Sequence, residues 1–142
     1  MLKTIQKASE NFCIHQIRLE HSLCDGVTKK RTLIAYIDID TDDLKKYRVY
    51  VASDINFMQR ITELFLEEKE SDEETLIDMT LETANLLIGS AKVIAEEENI
   101  NPYTINTPRF EKIGEFDFEY DQAKTLVVED DELSVAIKEI DA

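Results

Sequence analysis

Thr75–Glu98, TLIDMTLETANLLIGSAKVIAEEE, is the longest periodic segment of the chain, and its reading decides the fold. It holds no proline and its composition favours helix, with Asn99, Asn101 and Pro102 marking the end. At 100° per residue, Leu76, Ile77, Leu81, Ala84, Leu87, Ile88, Ala91, Ile94 and Ala95 share one broad apolar face. A face that wide must be buried. Opposite it, Asp78, Glu82, Asn85, Gly89, Lys92 and Glu96 fall in one polar stripe, flanked by Met79, Leu86 and Val93 at seven-residue intervals. Apolar side chains beside a polar stripe have the pattern of a docking surface. Gly89 adds to it, since a mid-helix glycine costs about 1 kcal/mol relative to alanine and is useful where another backbone comes close. The same residues also suit a bland reading: Glu82 and Asn85 as ordinary solvated side chains, and Met79, Leu86 and Val93 as packing beneath a neighbouring element.

Upstream, Thr32–Ile39 and Tyr47–Ala52 are rich in β-branched and aromatic residues and are separated by polar Asp40–Asp43, which predicts an antiparallel hairpin. Ser53 is placed to cap a helix with Asp54 in its first turn, and Ile55, Met58, Ile61, Leu64 and Phe65 carry that helix to about Lys69. The charge run Glu67–Glu74 then reads as a solvated connection. Before the hairpin, Leu2, Ile5, Ala8 and Phe12 favour a helix over 2–16, although Phe12–Leu19 also suits an irregular strand. Downstream, strands are expected at Tyr103–Thr107, at the alternating Phe116, Phe118 and Tyr120, and at Thr125–Val128 paired with Leu133–Ile140 around a turn at Asp130–Asp131. Asp117, Glu119 and Asp121 are then the wet face of their strand. The whole reads as an α+β fold, an antiparallel sheet with helices packed on one face, in a single domain spanning residues 1–142.

Composition narrows the partners. The 142 residues carry 31 Asp and Glu against 16 Lys and Arg, a formal charge of −15. Residues 1–48 hold nine basic and seven acidic side chains, leaving seven basic and 24 acidic for the rest. Such a field repels phosphate backbones and anionic lipid, so the expected partner is a protein, with no nucleic acid and no membrane insertion. No apolar run is long enough to span a bilayer, and Met1–Thr4 opens no signal-peptide core, which places the chain in the cytoplasm with free thiols.

The common catalytic fingerprints are missing, and three glycines leave little for a phosphate-cradling loop. Cys13, His15, His21 and Cys24 would suffice numerically for a zinc site. Their spacing lacks the tight CxxC pairs that such sites use, and Cys13 and His15 point to different sides of the expected helix. No metal is assigned.

Glu82-Thr83-Ala84-Asn85-Leu86-Leu87-Ile88-Gly89 resembles the ExxN(x3)G helix of the CheX/CheC/FliY chemotaxis phosphatases. As in that family, a hairpin and a shorter helix precede it, and a strand with a Thr-Pro step, here Thr107-Pro108, follows. The resemblance implies a CheC-like fold and hydrolysis of the aspartyl phosphate on a phosphorylated CheY-type receiver domain. It implies that Asn85 holds the attacking water in line and that Glu82 pairs with the receiver's active-site lysine. Asp78, Met79, Leu86, Gly89, Lys92 and Val93 are the expected docking residues around that pair. An amide suits the water-positioning role, since it accepts from water and donates to a phosphoryl oxygen without becoming charged, as glutamine does in GTPases. The receiver supplies its own magnesium and phosphoryl group, so no cofactor is expected in this chain. The first helix has no second ExxN, which makes CheX the nearest type; Ala84 stands where relatives often have glycine. Relatives of this type also form homodimers through sheet edges. The alternative is a non-catalytic CheY-binding adaptor or a flagellar-switch module of the FliM type, which shares the fold without the catalytic pair.

Overall fold

The β-branched run from Thr32 becomes a central strand because both of its faces find cover. The computed structural model describes residues 2–99 and 103–140. In chain order these form α1 (Leu2–Phe12), a π-helical turn (Cys13–Ile17), β1 (Ser22–Asp25), β2 (Thr32–Thr41), β3 (Lys46–Asp54), α2 (Ile55–Leu66) and α3 (Glu73–Glu97), then β4 (Tyr103–Ile105), β5 (Arg109–Gly114), β6 (Gln122–Val128) and β7 (Asp131–Ile140). The strands make one antiparallel sheet in the order β1-β6-β7-β3-β2-β4, with β5 pairing β2 beyond the point where β4 leaves off. The expected hairpin is β2–β3, in register from Thr32 opposite Asp54 to Asp40 opposite Lys46.

Alternation assigns the two faces. Leu33, Ala35, Ile37 and Ile39 of β2, Val49 and Val51 of β3, and Leu133, Val135 and Ile137 of β7 join the helices in the main core. On the reverse face, Ile34, Tyr50, Ala52, Ala123 and Ala136 form a smaller cluster. Its cover comes from a segment that the sequence read as a strand. Residues 115–120 lie outside any ladder, yet Phe116 and Phe118 still turn inward, each with its ring centroid 5.1 Å from that of Tyr50. Tyr120 does not follow them and is exposed. Asp117, Glu119 and Asp121 are exposed, as alternation required.

Other boundaries moved for physical reasons. The cap of α2 is Asp54 rather than Ser53: the Phe57 amide donates to Asp54 Oδ1 at 2.6 Å, while the Ser53 hydroxyl donates to the Asp54 carbonyl. The Glu132 amide donates to Asp54 Oδ2 at 2.8 Å and Lys30 Nζ lies 3.3 Å from it, so one buried carboxylate ties α2 to β7 and to the loop before β2. Arg60 adds a second tie, donating to Asp131 at 2.6 Å. The last hairpin turns at Glu129–Asp130, one residue early, with Glu129 in the left-handed region at φ 56°. Segment 12–17 is helical, and α1 closes through the π turn, where the Arg18 amide donates to the Cys13 carbonyl. The expected helix stops Asn101 and Pro102 lie outside the described residues.

Candidate functional site

The stripe on α3 is displayed because the rest of the helix is held from three sides. Asp72 caps its first turn, accepting from the Thr75 amide at 2.8 Å, and Glu73 and Glu74 add negative charge where the helix dipole favours it. β2 lies beneath it, and α1 and α2 flank it. Leu76, Ala84, Leu87, Ile88, Ala91 and Ala95 are buried as expected, while Ile77, Leu81 and Ile94 are half-buried against the same core. Thr80 and Thr83 are also buried, which the apolar pattern did not anticipate. The Thr80 hydroxyl returns a hydrogen bond to the Leu76 carbonyl at 2.7 Å, and that of Thr83 lies 3.8 Å from the Met58 sulfur.

Asp78, Glu82 and Asn85 are exposed, and Gly89 and Lys92 are partly so. Among the described residues, neither Glu82 nor Asn85 has a hydrogen-bond or ion-pair partner within the chain. Glu82 and Asn85 lie about one turn apart on one face, so a single body can meet both. Leu86 and Val93 are 47% and 52% exposed. Met79 departs from the expectation of an apolar row at the surface: it lies in the main core at 8% exposure, in the half of α3 where Thr83 meets Met58 of α2.

Gly89 has no internal reason to be glycine. Its backbone is helical, and a Cβ there would meet nothing within 4 Å. Gly89→Ala is therefore expected to raise the unfolding free energy by about 1 kcal/mol in denaturant titration.

Sequence reading did not single out the neighbour of this stripe. Between α1 and α3 lies a cleft of about 370 Å³, walled by Asn11, Phe12 and His15 on one side and Ser90, Val93 and Ile94 on the other. Its helix-terminal residues give no periodic signal, since α1 has already passed into the π turn.

The four Cys and His side chains do not converge, and no group of three potential metal ligands occurs among the described residues. Cys13 is buried and Cys24 exposed, both as free thiols, while His21 Nε2 lies 3.1 Å from Glu10 Oε1. Burial pushes the Cys13 thiol up to about 11, with the Glu10 charge acting in the same direction. At pH 8 its thiolate is scarce as well as enclosed. A maleimide time course is expected to label one thiol per folded chain, at Cys24, and the second only on unfolding.

No protein-family model and no curated protein matches the sequence. Solved structures do match the fold. CheX of Vibrio vulnificus superposes with a TM-score of 0.78 at 15% identity, covering 96% of this chain and 97% of that one. CheX of Borrelia burgdorferi, solved in a complex with CheY, BeF3 and Mg2+, gives 0.69 at 14% identity, covering 96% and 97%. The FliM middle domain of Vibrio alginolyticus gives 0.55 at 6% identity, covering 95% and 88%. No helix among the described residues is long and apolar enough to cross a membrane.

Proposed function

We propose that this chain, which has the fold of the CheX and CheC-like proteins, accelerates hydrolysis of the aspartyl phosphate on a CheY-type receiver domain in the cytoplasm. The observation that carries the reading is the pair Glu82 and Asn85, exposed and unpartnered about one turn apart on the helix that the fold holds outward. Side chains with no role inside the chain are free to act on something outside it. The complex of a CheX with CheY, BeF3 and Mg2+ supports the choice of partner, because BeF3 occupies the shape and charge of a phosphoryl group.

In this reading the Asn85 carboxamide enters the receiver's pocket, its oxygen accepting from the attacking water and its amide donating to a phosphoryl oxygen. The water is held in line, and the entropy of finding that geometry is removed from the barrier. Glu82 makes a charge-assisted hydrogen bond to a cationic side chain of the receiver, which sets the register that brings Asn85 to the phosphoryl group. The magnesium belongs to the receiver's own pocket. Leu86 and Val93 supply apolar contact, and Gly89 lets the receiver approach the helix backbone, so Gly89→Ala is expected to weaken binding even as it stabilises the fold.

The deciding measurement is phosphate release from phosphorylated receivers of the same organism with and without the chain. Acceleration above spontaneous hydrolysis supports the enzyme. Binding without acceleration moves the assignment to a CheY-binding adaptor or flagellar-switch module, the reading that the likeness to the FliM middle domain favours.

A further inference from the structure

The cleft between α1 and α3 is lined on α3 by residues between Leu87 and Ile94, C-terminal to Glu82 and Asn85, and neither of those two lines it. Around α3, the row Leu86, Ser90 and Val93 lies on the α1 side of the polar stripe, within about 60–120° of its centre. A body resting on the stripe therefore also covers the mouth of the cleft. Phe65 of α2 continues the apolar rim: it is 43% exposed, and its ring centroid stands 6.2 Å from that of Phe12 in the cleft wall. Phe65 of α2 and Val93 of α3 thus bring exposed apolar groups to one place, beside the buried Phe12 of α1.

Charge identifies what can enter. In a chain of net charge −15, no carboxylate lines this cleft, whereas Asp78 and Glu82 lie along the adjoining stripe. The complementary surface is cationic opposite the stripe and uncharged opposite the cleft, whose lining sets Asn11, His15, Gln16 and Ser90 beside its apolar residues. The volume of about 370 Å³ admits a large aliphatic or aromatic side chain.

We propose that the α1–α3 cleft seats an apolar side chain of the receiver domain docked on the stripe, a second anchor beside the charged one at Glu82. This rests on the reading of α3 as the receiver-binding face. The anchor is bound equally before and during the chemical step, so it sets affinity rather than turnover.

The test uses the full chain with Ser90→Trp and Asn11→Trp, which fill the cleft from its α3 and α1 walls. Glu82 and Asn85 stay intact in both. Titration with a receiver activated by beryllofluoride is expected to give about tenfold weaker binding for each variant, and steady-state phosphate release a KM raised by a similar factor with kcat within about twofold. Leu44→Ser, in the β2–β3 turn at 85% exposure, should bind like wild type. Should Ser90→Trp lower the melting temperature, Asn11→Trp carries the result. Wild-type affinity in a folded variant overturns the seat while leaving the parent reading intact, and a fall in kcat at unchanged KM overturns it too. If wild type neither binds nor dephosphorylates any receiver, the parent reading falls and the cleft proposal with it.

Discussion

Asn85→Ala is expected to return phosphate release from a phosphorylated receiver to its spontaneous rate, a loss of about 10²–10³-fold if the amide acts as a preorganised transition-state group. Binding of the activated receiver should change little, because the water that Asn85 holds contributes to the barrier and hardly to the ground-state complex. Glu82→Ala is expected to differ in kind. Removing the carboxylate takes away an interaction present in both states, so affinity and kcat/KM fall together. Asn85→Asp sharpens the contrast, since it keeps the shape while setting a negative charge against the phosphoryl oxygens. Single-turnover hydrolysis paired with a binding titration separates these cases. Asn85→Ala hydrolysing as fast as wild type would remove Asn85 from the site even if the enzyme stands.

The largest effect on stability is expected at Asp54. Its carboxylate caps α2 through the Phe57 amide, receives the Glu132 amide and sits beside Lys30, at 5% exposure. Asp54→Ala removes a helix cap and orphans a strand amide, which together cost about 3 kcal/mol. Asp54→Asn retains an oxygen for the cap but loses the charge and one acceptor, and about 1 kcal/mol is expected. Urea titrations check both, with the midpoint falling and the slope unchanged. A loss below about 0.5 kcal/mol for the alanine variant would mean that water replaces the carboxylate at all its partners.

The sequence made legible those parts of the molecule in which one periodicity meets one environment. The β2–β3 hairpin reads as two nearly continuous β-branched and aromatic runs because both faces of its strands find cover, and α3 reads as two-faced because core and solvent divide it. Met79 was misplaced because period seven fixes a line along a helix but not which stretch of that line lies in the core. Phe116 and Phe118 read as a strand because any extended segment alternates, whether or not a ladder runs beside it. β1 went unread since it is an edge strand of four residues with scarcely any burial to imprint alternation. Residues Glu82 and Asn85 were legible as a pair on one face. The α1–α3 cleft was not, since Phe12 and Val93 meet only through tertiary packing.

The order of strands has a consequence for how the chain is made. β7 lies inside the sheet between β6 and β3, and its ladder joins residues 46–53 to 133–140. A nascent chain on the ribosome can form the β2–β3 hairpin and the three helices, but the floor that receives α1 is completed only when residues 131–140 have left the exit tunnel. Until then the inner faces of β3 and β6 lack their shared neighbour and present apolar edges to other chains. Folding is thus held by topology until β7 has emerged, and long-range closure of this kind is slow and exposed to aggregation. A stalled chain lacking β7 should be recovered bound to chaperones, whereas one in which β7 has emerged should not.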